Sequence, residues 1–206
     1  MVIHHVRDRV FSTWPHVEVL RALQDSAQGS TGREIARLSG MNHRSCLQAL
    51  TELEELFLIR RARGGRDHIF TLNREHLLVE DGILPLLALE REFSRSLFAY
   101  LSKRLSKLTK SIIVFGSVTR NEETPSSDLD LCLVVSADKV KATVEAAIDS
   151  IAPQVLSRYG VKVAPFILTQ KEFVRKAKKN LPPVQDIAKE GRVIAGLSVK
   201  GLLNGK

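Results

Sequence analysis

No apolar run in this chain of 206 residues is long enough to cross a membrane, and the longest candidates, such as ILPLLALE, are far too short. The first ten residues, MVIHHVRDRV, carry charge where a signal peptide needs an apolar core, so we expect no export signal. The two cysteines, Cys46 and Cys132, lie far apart within apolar patterns, which indicates reduced core thiols rather than a disulfide framework. These absences predict a cytoplasmic protein with no membrane partner.

The composition is otherwise that of a globular protein with a basic balance of charge. Hydrophobic residues make up 44% and charged residues 26% of the chain, which is long enough for one large domain or two small ones. The net charge of +8 favours a polyanionic partner, either nucleic acid or a phosphate-bearing ligand. The chain contains no internal repeat.

Residues 1–76 show a pattern of helices followed by a hairpin. Apolar spacing predicts a helix over about 15–25, a second over GREIARLSG and a third over about 43–56. Thr31 and Glu34 form a capping-box pattern before the second helix, and Asn42 can cap the third. We expect the third helix to bury four apolar residues, namely Leu47, Leu50, Leu53 and either Leu56 or Phe57. The strand FLIRRAR, the pair Gly64–Gly65 and the strand DHIFTL then predict a hairpin.

This order of elements suits a protein that reads the major groove of DNA. The polar residues at the start of the third helix are predicted to contact bases: His43, Arg44, Ser45 and Gln48. The hairpin is predicted to reach phosphates or the minor groove through its arginines, which are Arg60, Arg61, Arg63 and Arg66. The stretch STGREIARLSGMNHRSCLQALTELEELFLIRRARGGRDHIFTLN resembles the winged helix-turn-helix of bacterial and archaeal transcription regulators of the MarR/ArsR type. That resemblance covers residues 15–75 and implies a dimer on double-stranded DNA, although the family often has glycine where Phe57 stands.

A purely structural or protein-interaction role is the alternative for this segment. Glu52, Glu54 and Glu55 make the far end of the third helix acidic, and that end would repel phosphate. Residues 1–76 contain eleven basic and nine acidic residues, so the signal for DNA lies in the placement of charge and not in its amount.

Two further segments follow. Residues 77–108 read mostly as a linker helix, interrupted near Gly82 and Pro85, which could pack two domains together or form a dimer seam. A second domain is predicted over residues 109–206. The expected fold class is therefore α+β, with a winged helix domain, a linker helix and a C-terminal mixed sheet flanked by helices.

The second domain contains the stretch FGSVTRNEETPSSDLDLCLVV, which begins at Phe115. Gly116 lets a ligand approach the backbone, and Ser117 offers a hydroxyl and an N–H group to a phosphate. Asp128 and Asp130 alternate with leucines in a strand, so their side chains share a face and repel unless a cation lies between them. Because Mg²⁺ prefers oxygen ligands together with substrate phosphates, the stretch predicts a site for a metal ion and a nucleotide.

The Gly-Ser pair, ten residues and Asp-x-Asp resemble the signature of the nucleotidyltransferase superfamily that includes DNA polymerase β, and its minimal prokaryotic members most of all. No other phosphate or metal motif competes with it, since the chain has no Walker A, GxGxxG or HExxH pattern. The resemblance implies that Gly116, Ser117 and Arg120 bind the nucleoside triphosphate. It also implies that Asp128 and Asp130 are the catalytic carboxylates and hold Mg²⁺ or Mn²⁺.

Active members of that superfamily use a third carboxylate on a later strand. The corresponding segment here is GVKVAPFILT, which contains no Asp or Glu, with Val163, Ala164 or Pro165 at the expected place. Glu172 lies just beyond and reads as a residue in the first turn of a helix. Without the third carboxylate, we still expect the site to bind a nucleotide with its metal ion. Deprotonation of an acceptor hydroxyl is expected to be harder.

The tail from Lys171 to Leu197 is expected to be helical around a Pro-Pro break. Its basic residues could hold an acidic acceptor or DNA beside the nucleotide site, or form a solvated face. Three functions remain open at this point. The chain is a DNA-binding regulator that binds NTP–Mg²⁺ and transfers a nucleotidyl group, a catalytically inactive sensor of a nucleotide or partner, or a toxin–antitoxin component with a protein partner.

Overall fold

A computed structural model describes residues 4–65 and 67–204. Its contacts divide the chain into two compact units, Met1–Glu92 and Phe93–Lys206. We call them unit 1 and unit 2 and describe each by itself. Each unit combines helices with one sheet, which confirms the α+β class expected from the sequence. The finer division into residues 1–76, 77–108 and 109–206 stays a prediction.

The described part of unit 1 before residue 79 combines helices with a small antiparallel sheet. The helices are α1 (Val6–Val10), α2 (Trp14–Leu23), α3 (Gly32–Ser39) and α4 (His43–Glu55). The strands are β1 (Ser30–Thr31), β2 (Ile59–Gly64) and β3 (Asp67–Leu72), in the order β1-β3-β2. The expected capping box is present, because the Thr31 hydroxyl accepts from the Glu34 N–H and the Glu34 carboxylate accepts from the Thr31 N–H. Asn42 caps α4 by accepting a hydrogen bond of 2.9 Å from the Ser45 N–H.

The buried side of α4 differs from the expected one. Leu50 and Leu53 are buried as predicted, together with Cys46 and Ala49. The prediction for Leu47 was wrong, because its side chain is 41% exposed on the polar side of the helix. The residues that do face the core are spaced by three and four positions, and Leu47 falls outside that stripe.

The chain leaves α4 through a residue in the left-handed backbone region. Phe57 has a φ of 58° and is 71% exposed, so it is Leu56, half-buried, that packs against the core. A glycine would adopt this backbone conformation without the steric cost that a Cβ brings. In the hairpin, Gly65 has a φ of 67°, as the turn requires, and Arg66 lies outside the described residues.

A π-helical turn, Val79–Ile83, leads directly into the long helix α5 (Leu84–Leu105). Val79, Ile83 and Leu87 belong to the core of unit 1. Leu101 and Leu105, near the end of the same helix, are fully buried in the core of unit 2. The interruption predicted near Gly82 takes the form of this π-helical turn, and the chain stays helical from Val79 to Leu105.

Unit 2 is built on a four-stranded mixed sheet in the order β6-β5-β4-β7. Its strands are β4 (Ser111–Phe115), β5 (Leu129–Val135), β6 (Val163–Thr169) and β7 (Arg192–Gly196). Strand β5 runs antiparallel to β4 and parallel to β6, while β7 runs antiparallel to β4. The edge strand β6 contains Pro165, paired in register with Leu131, and a proline is tolerated there because its nitrogen can face the open edge.

Helices cover both faces of this sheet. Besides α5 they are α6 (Ser117–Arg120), α7 (Lys141–Tyr159), α8 (Gln170–Lys178), α9 (Val184–Glu190) and α10 (Val199–Asn204). One face packs on α5 and α7 and the other on α8, α9 and α10. The tail was expected to be helical on both sides of the Pro-Pro pair. Instead, residues 192–196 form the strand β7. Within residues 4–65 and 67–204, no helix has the length and apolar character needed to span a membrane.

Candidate nucleotide and metal site

The predicted phosphate-binding turn and the predicted carboxylates meet at one edge of the unit 2 sheet. Strand β4 ends at Phe115, which pairs in register with Asp130 near the start of β5. Gly116 and Ser117 follow at once and open the short helix α6. Antiparallel pairing therefore brings together two segments that ten residues separate in the sequence.

Gly116 is the residue that permits this close approach. Its φ is 76°, in the left-handed region that favours glycine. A Cβ at this position would overlap Oδ2 of Asp130 and would lie 3.1 Å from its Cγ. The turn thus leaves just enough room for the carboxylate beside the backbone, and any larger residue would displace one of them.

The two carboxylates form an electrostatically unfavourable pair. Asp130 is half-buried in β5, and Asp128 is exposed immediately before the strand. Burial raises the pKa of Asp130, the charge of Asp128 raises it further, and the positive charge of Arg120 opposes both. A divalent cation between the carboxylates would relieve this repulsion, so the chemistry of the pair fits Mg²⁺ or Mn²⁺.

Arg120 lies at the same site, but carboxylates hold its guanidinium group. Nε donates to Glu122 at 2.7 Å and a terminal nitrogen donates to Glu190 at 2.8 Å. Sequence reasoning missed Glu190, which comes from the end of α9, 70 positions further along the chain. No local pattern could have indicated this contact, because it depends on how α9 packs on the sheet.

The register of β6 identifies the position at which a third carboxylate would stand. Ala164 pairs with Asp130 and lies on the same face of the sheet. Val163 pairs with Leu129 and faces the core formed with α5 and α7. No residue of β6 is acidic. Within the part of the chain that the structure describes, no three or more His, Cys, Asp or Glu side chains are grouped to hold a metal ion.

Glu172 does not fill this position. It completes a capping box with Thr169 at the start of α8 and accepts 2.7 Å from Nζ of Lys141. Lys141 first, and then the Thr169 N–H, lower the pKa of Glu172 to about 2. Since β6 carries the chain away from Asp130, its seven residues place Glu172 roughly 20 Å from the carboxylate pair.

An apolar cavity of about 240 Å³ adjoins Asp128. Its walls include Leu97, Phe98 and Val161, and its polar rim includes Glu123 and Asp128. Local sequence patterns could not indicate this cavity, because its walls come from α5, the loop before β5 and the segment after α7. A flat, largely apolar group of a bound ligand could lie here, next to the carboxylates.

The residues predicted to contact DNA lie on unit 1. His43, Arg44 and Gln48 are exposed on α4, and Ser45 is half-buried. The Gln48 amide donates 2.9 Å to Glu52, so it is already engaged along the helix.

The hairpin arginines differ in their contacts and exposure. Arg61 is paired with Glu54 at 3.2 Å, Arg63 is exposed, and Arg66 lies outside the described residues. A groove of about 370 Å³ lies between α4 and the hairpin, with His43, Leu47 and Arg61 among its walls. Of the residues predicted to contact DNA, His43 and Arg61 line this groove, whereas Ser45 and Gln48 line a different cavity beside α4.

Comparison with known proteins found a similarity for part of the second unit. Residues 95–194 match the family model described as a nucleotidyltransferase domain. The matched segment contains Gly116, Ser117, Asp128 and Asp130 and lies within unit 2. The comparisons with curated proteins and with solved structures found no match. Residues 95–194 of unit 2 are thus similar to nucleotidyltransferase domains, while the winged-helix resemblance of unit 1 stays a prediction.

Proposed function

We propose that unit 2 binds a nucleoside triphosphate together with Mg²⁺ or Mn²⁺, and that nucleotidyl transfer by this site is slow. One observation carries the proposal. The Gly116–Ser117 turn lies against the carboxylate of Asp130, whose pKa is raised by burial and by Asp128. A phosphate-binding turn beside two carboxylates that need a cation is the arrangement that a metal-bound nucleotide requires.

Each residue then has a defined task. The backbone around Gly116 and the hydroxyl and N–H of Ser117 bind phosphate oxygens. Asp128 and Asp130 hold the divalent ion, which when bound neutralises charge on the phosphates. The cavity beside Asp128 offers apolar walls to the nucleobase. Arg120 can bind the phosphates if its guanidinium group gives up the hydrogen bond to Glu190 and donates to a phosphate oxygen instead.

Slow transfer follows from the residue opposite Asp130. An Ala164 methyl group cannot bind a second metal ion or accept a proton from an acceptor hydroxyl. This favours a domain whose main role is to bind the nucleotide, which is the sensor function among those expected from the sequence.

Titration calorimetry with a non-hydrolysable NTP and Mg²⁺ tests the proposal. The variant Asp128→Asn with Asp130→Asn should lose metal-dependent binding, since neutral amides cannot hold the ion. Ser117→Ala should weaken binding only modestly, because the backbone N–H groups remain. Asp149→Asn with Asp186→Asn is the matched control, because both residues are exposed on helices and neither belongs to the site. Equal NTP affinity in the wild type and the site variant would refute the proposal, and so would rapid labelling of nucleic acid or protein from an α-labelled NTP.

We also propose that unit 1 binds double-stranded DNA as a dimer and acts as a transcription regulator. The support is the exposed start of α4, with His43 and Arg44, beside a hairpin that carries exposed arginines. Arg44→Ala should weaken specific binding by about 1–3 kcal/mol, whereas loss of Arg61, Arg63 and Arg66 should weaken binding to all sequences.

Selection from genomic DNA fragments tests this second proposal, with half-sites expected about one helical turn apart. Recovery of no enriched sequence, together with unchanged binding by the triple arginine variant, would exclude it.

A further inference from the structure

The positive charge of this protein is concentrated on unit 2. Residues 93–206 contain 19 lysines and arginines against 10 aspartates and glutamates. Residues 1–92 contain 12 against 13. The unit predicted to bind DNA is therefore nearly neutral, and the excess that favours a polyanion belongs to the other unit.

Part of this charge surrounds an open groove of about 650 Å³ on unit 2, which we call the basic groove. Lys110 before β4, Ser136 after β5 and Gln170 after β6 all line it. These positions lie at the opposite end of the strands from Asp128 and Asp130, roughly 20 Å away along the strand direction. The basic groove is thus separate from the nucleotide site, although the tail also reaches that site where Glu190 accepts from Arg120.

Helix α8 supplies the other cations of the basic groove in a regular row. Lys171, Arg175 and Lys178 are exposed and spaced by four and three residues, so they lie on one side of the helix. Phe173 on the opposite side is fully buried. The nearest acid on α8, Glu172, is turned to Lys141 and Thr169 and does not pair with this row.

The floor of the basic groove is apolar. Val174 of α8 and Leu202 and Leu203 of α10 line the groove together with the cations. Nζ of Lys110 approaches from the other wall and donates 2.6 Å to Gln170, which leaves the side chain fixed at the rim. The ligand must therefore offer several negative charges in a row and an apolar surface beside them.

We propose that the basic groove binds the phosphate backbone of a single-stranded nucleic acid. Successive phosphates would face Lys171, Arg175 and Lys178, and unpaired bases or sugars would lie on the apolar floor. A duplex fits less well, because its bases are stacked inside and offer no apolar surface to the floor. No aromatic residue lines the groove among the described residues, so binding depends on the phosphate contacts, which carry no sequence information.

Fluorescence anisotropy with the full chain and labelled oligonucleotides of mixed sequence, about 20 nucleotides long, tests this inference. The groove variant is Lys171→Gln, Arg175→Gln and Lys178→Gln. The matched control is Lys103→Gln, Lys139→Gln and Arg158→Gln, which removes two lysines and one arginine from exposed positions outside the groove. Single-stranded DNA and RNA, the corresponding duplex and polyglutamate of equal charge serve as ligands.

The wild type should bind the single strands with a salt dependence of about −3 in log K against log salt, as four cations predict. The groove variant should bind at least about tenfold more weakly with a slope reduced by about 2, and the control should change little. Equal weakening of both variants, absence of binding, or preference for the duplex or polyglutamate would overturn the inference. The Asp128→Asn, Asp130→Asn variant should keep this binding, so the inference and the proposed nucleotide site fail independently.

Discussion

The backbone of Gly116 and the carboxylate of Asp130 occupy adjoining space, so that a single methyl group on the glycine would overlap the aspartate. Strand pairing fixes both sides of this contact, because Phe115 and Asp130 are partners in the β4–β5 ladder. The turn and the backbone of Asp130 therefore cannot move apart without breaking the sheet, whereas the carboxylate itself can rotate about its side-chain bonds.

Gly116→Ala is expected to destabilise the protein by about 2 kcal/mol and to abolish NTP–Mg²⁺ binding, because it combines a positive φ with a steric overlap. Gly40→Ala is the control, since Gly40 has a φ of 66° and nothing within 4 Å of its Cβ position. It should cost about 1 kcal/mol and leave NTP binding intact. Chemical denaturation and calorimetry measure both effects. Similar costs and intact binding in both variants would show that the overlap is unimportant.

Asp130→Asn is expected to stabilise the metal-free protein. Because the folded-state pKa of Asp130 lies above its unfolded value, the folded protein holds more protons, and wild-type stability falls as pH rises through the interval between the two values. The variant should lack this loss and be more stable at neutral pH by about 0.5–1 kcal/mol.

Thermal unfolding across pH, with Asp149→Asn as control, measures this effect. Mg²⁺ should raise the midpoint of the wild type and not that of Asp130→Asn. A variant that is less stable than the wild type at neutral pH would show that Asp130 is already stabilised by a partner.

Ala164→Asp is expected to raise nucleotidyl transfer by about tenfold or more, because it places a third carboxylate on the face of Asp130. Val163→Asp is the control, because its side chain faces the opposite core. It should destabilise the protein by about 2 kcal/mol or more without any gain in transfer. Release of labelled pyrophosphate and thermal unfolding are the measurements, and a gain in the control alone would contradict the register.

Phe57→Gly is expected to be more stable than Phe57→Ala by about 1 kcal/mol. The left-handed backbone at this position is strained for alanine, which has a Cβ, and unstrained for glycine. Both variants remove the same exposed ring, so their difference isolates the backbone term. Urea denaturation of the two variants gives the value directly. Equal stability would mean that the backbone relaxes to another conformation when the ring is removed.

Much of the candidate site could be predicted because its signals are local. The Gly-Ser turn, the alternation around Asp128 and Asp130 and the capping box of Thr31 each depend on neighbours within a few residues. The partner of Arg120 could not be predicted in this way, since Glu190 reaches it through the packing of α9.

Strand β7 was missed for a related reason. Its five residues form a strand because they pair with β4, about 80 residues earlier in the chain, and pairing over such a distance leaves little trace in local propensity. Leu47 was misplaced because an apolar residue next to the buried stripe of a helix satisfies the spacing almost as well as one within it.

Pro165 determines what the outer edge of β6 can do. A strand that joins a sheet needs an unbroken row of N–H and C=O groups to pair with, and Pro165 removes one donor from the middle of that row. Edge-to-edge aggregation and β-augmentation by a partner peptide are both disfavoured on this side. A partner of unit 2 that binds here must do so through side chains, not by extending the sheet.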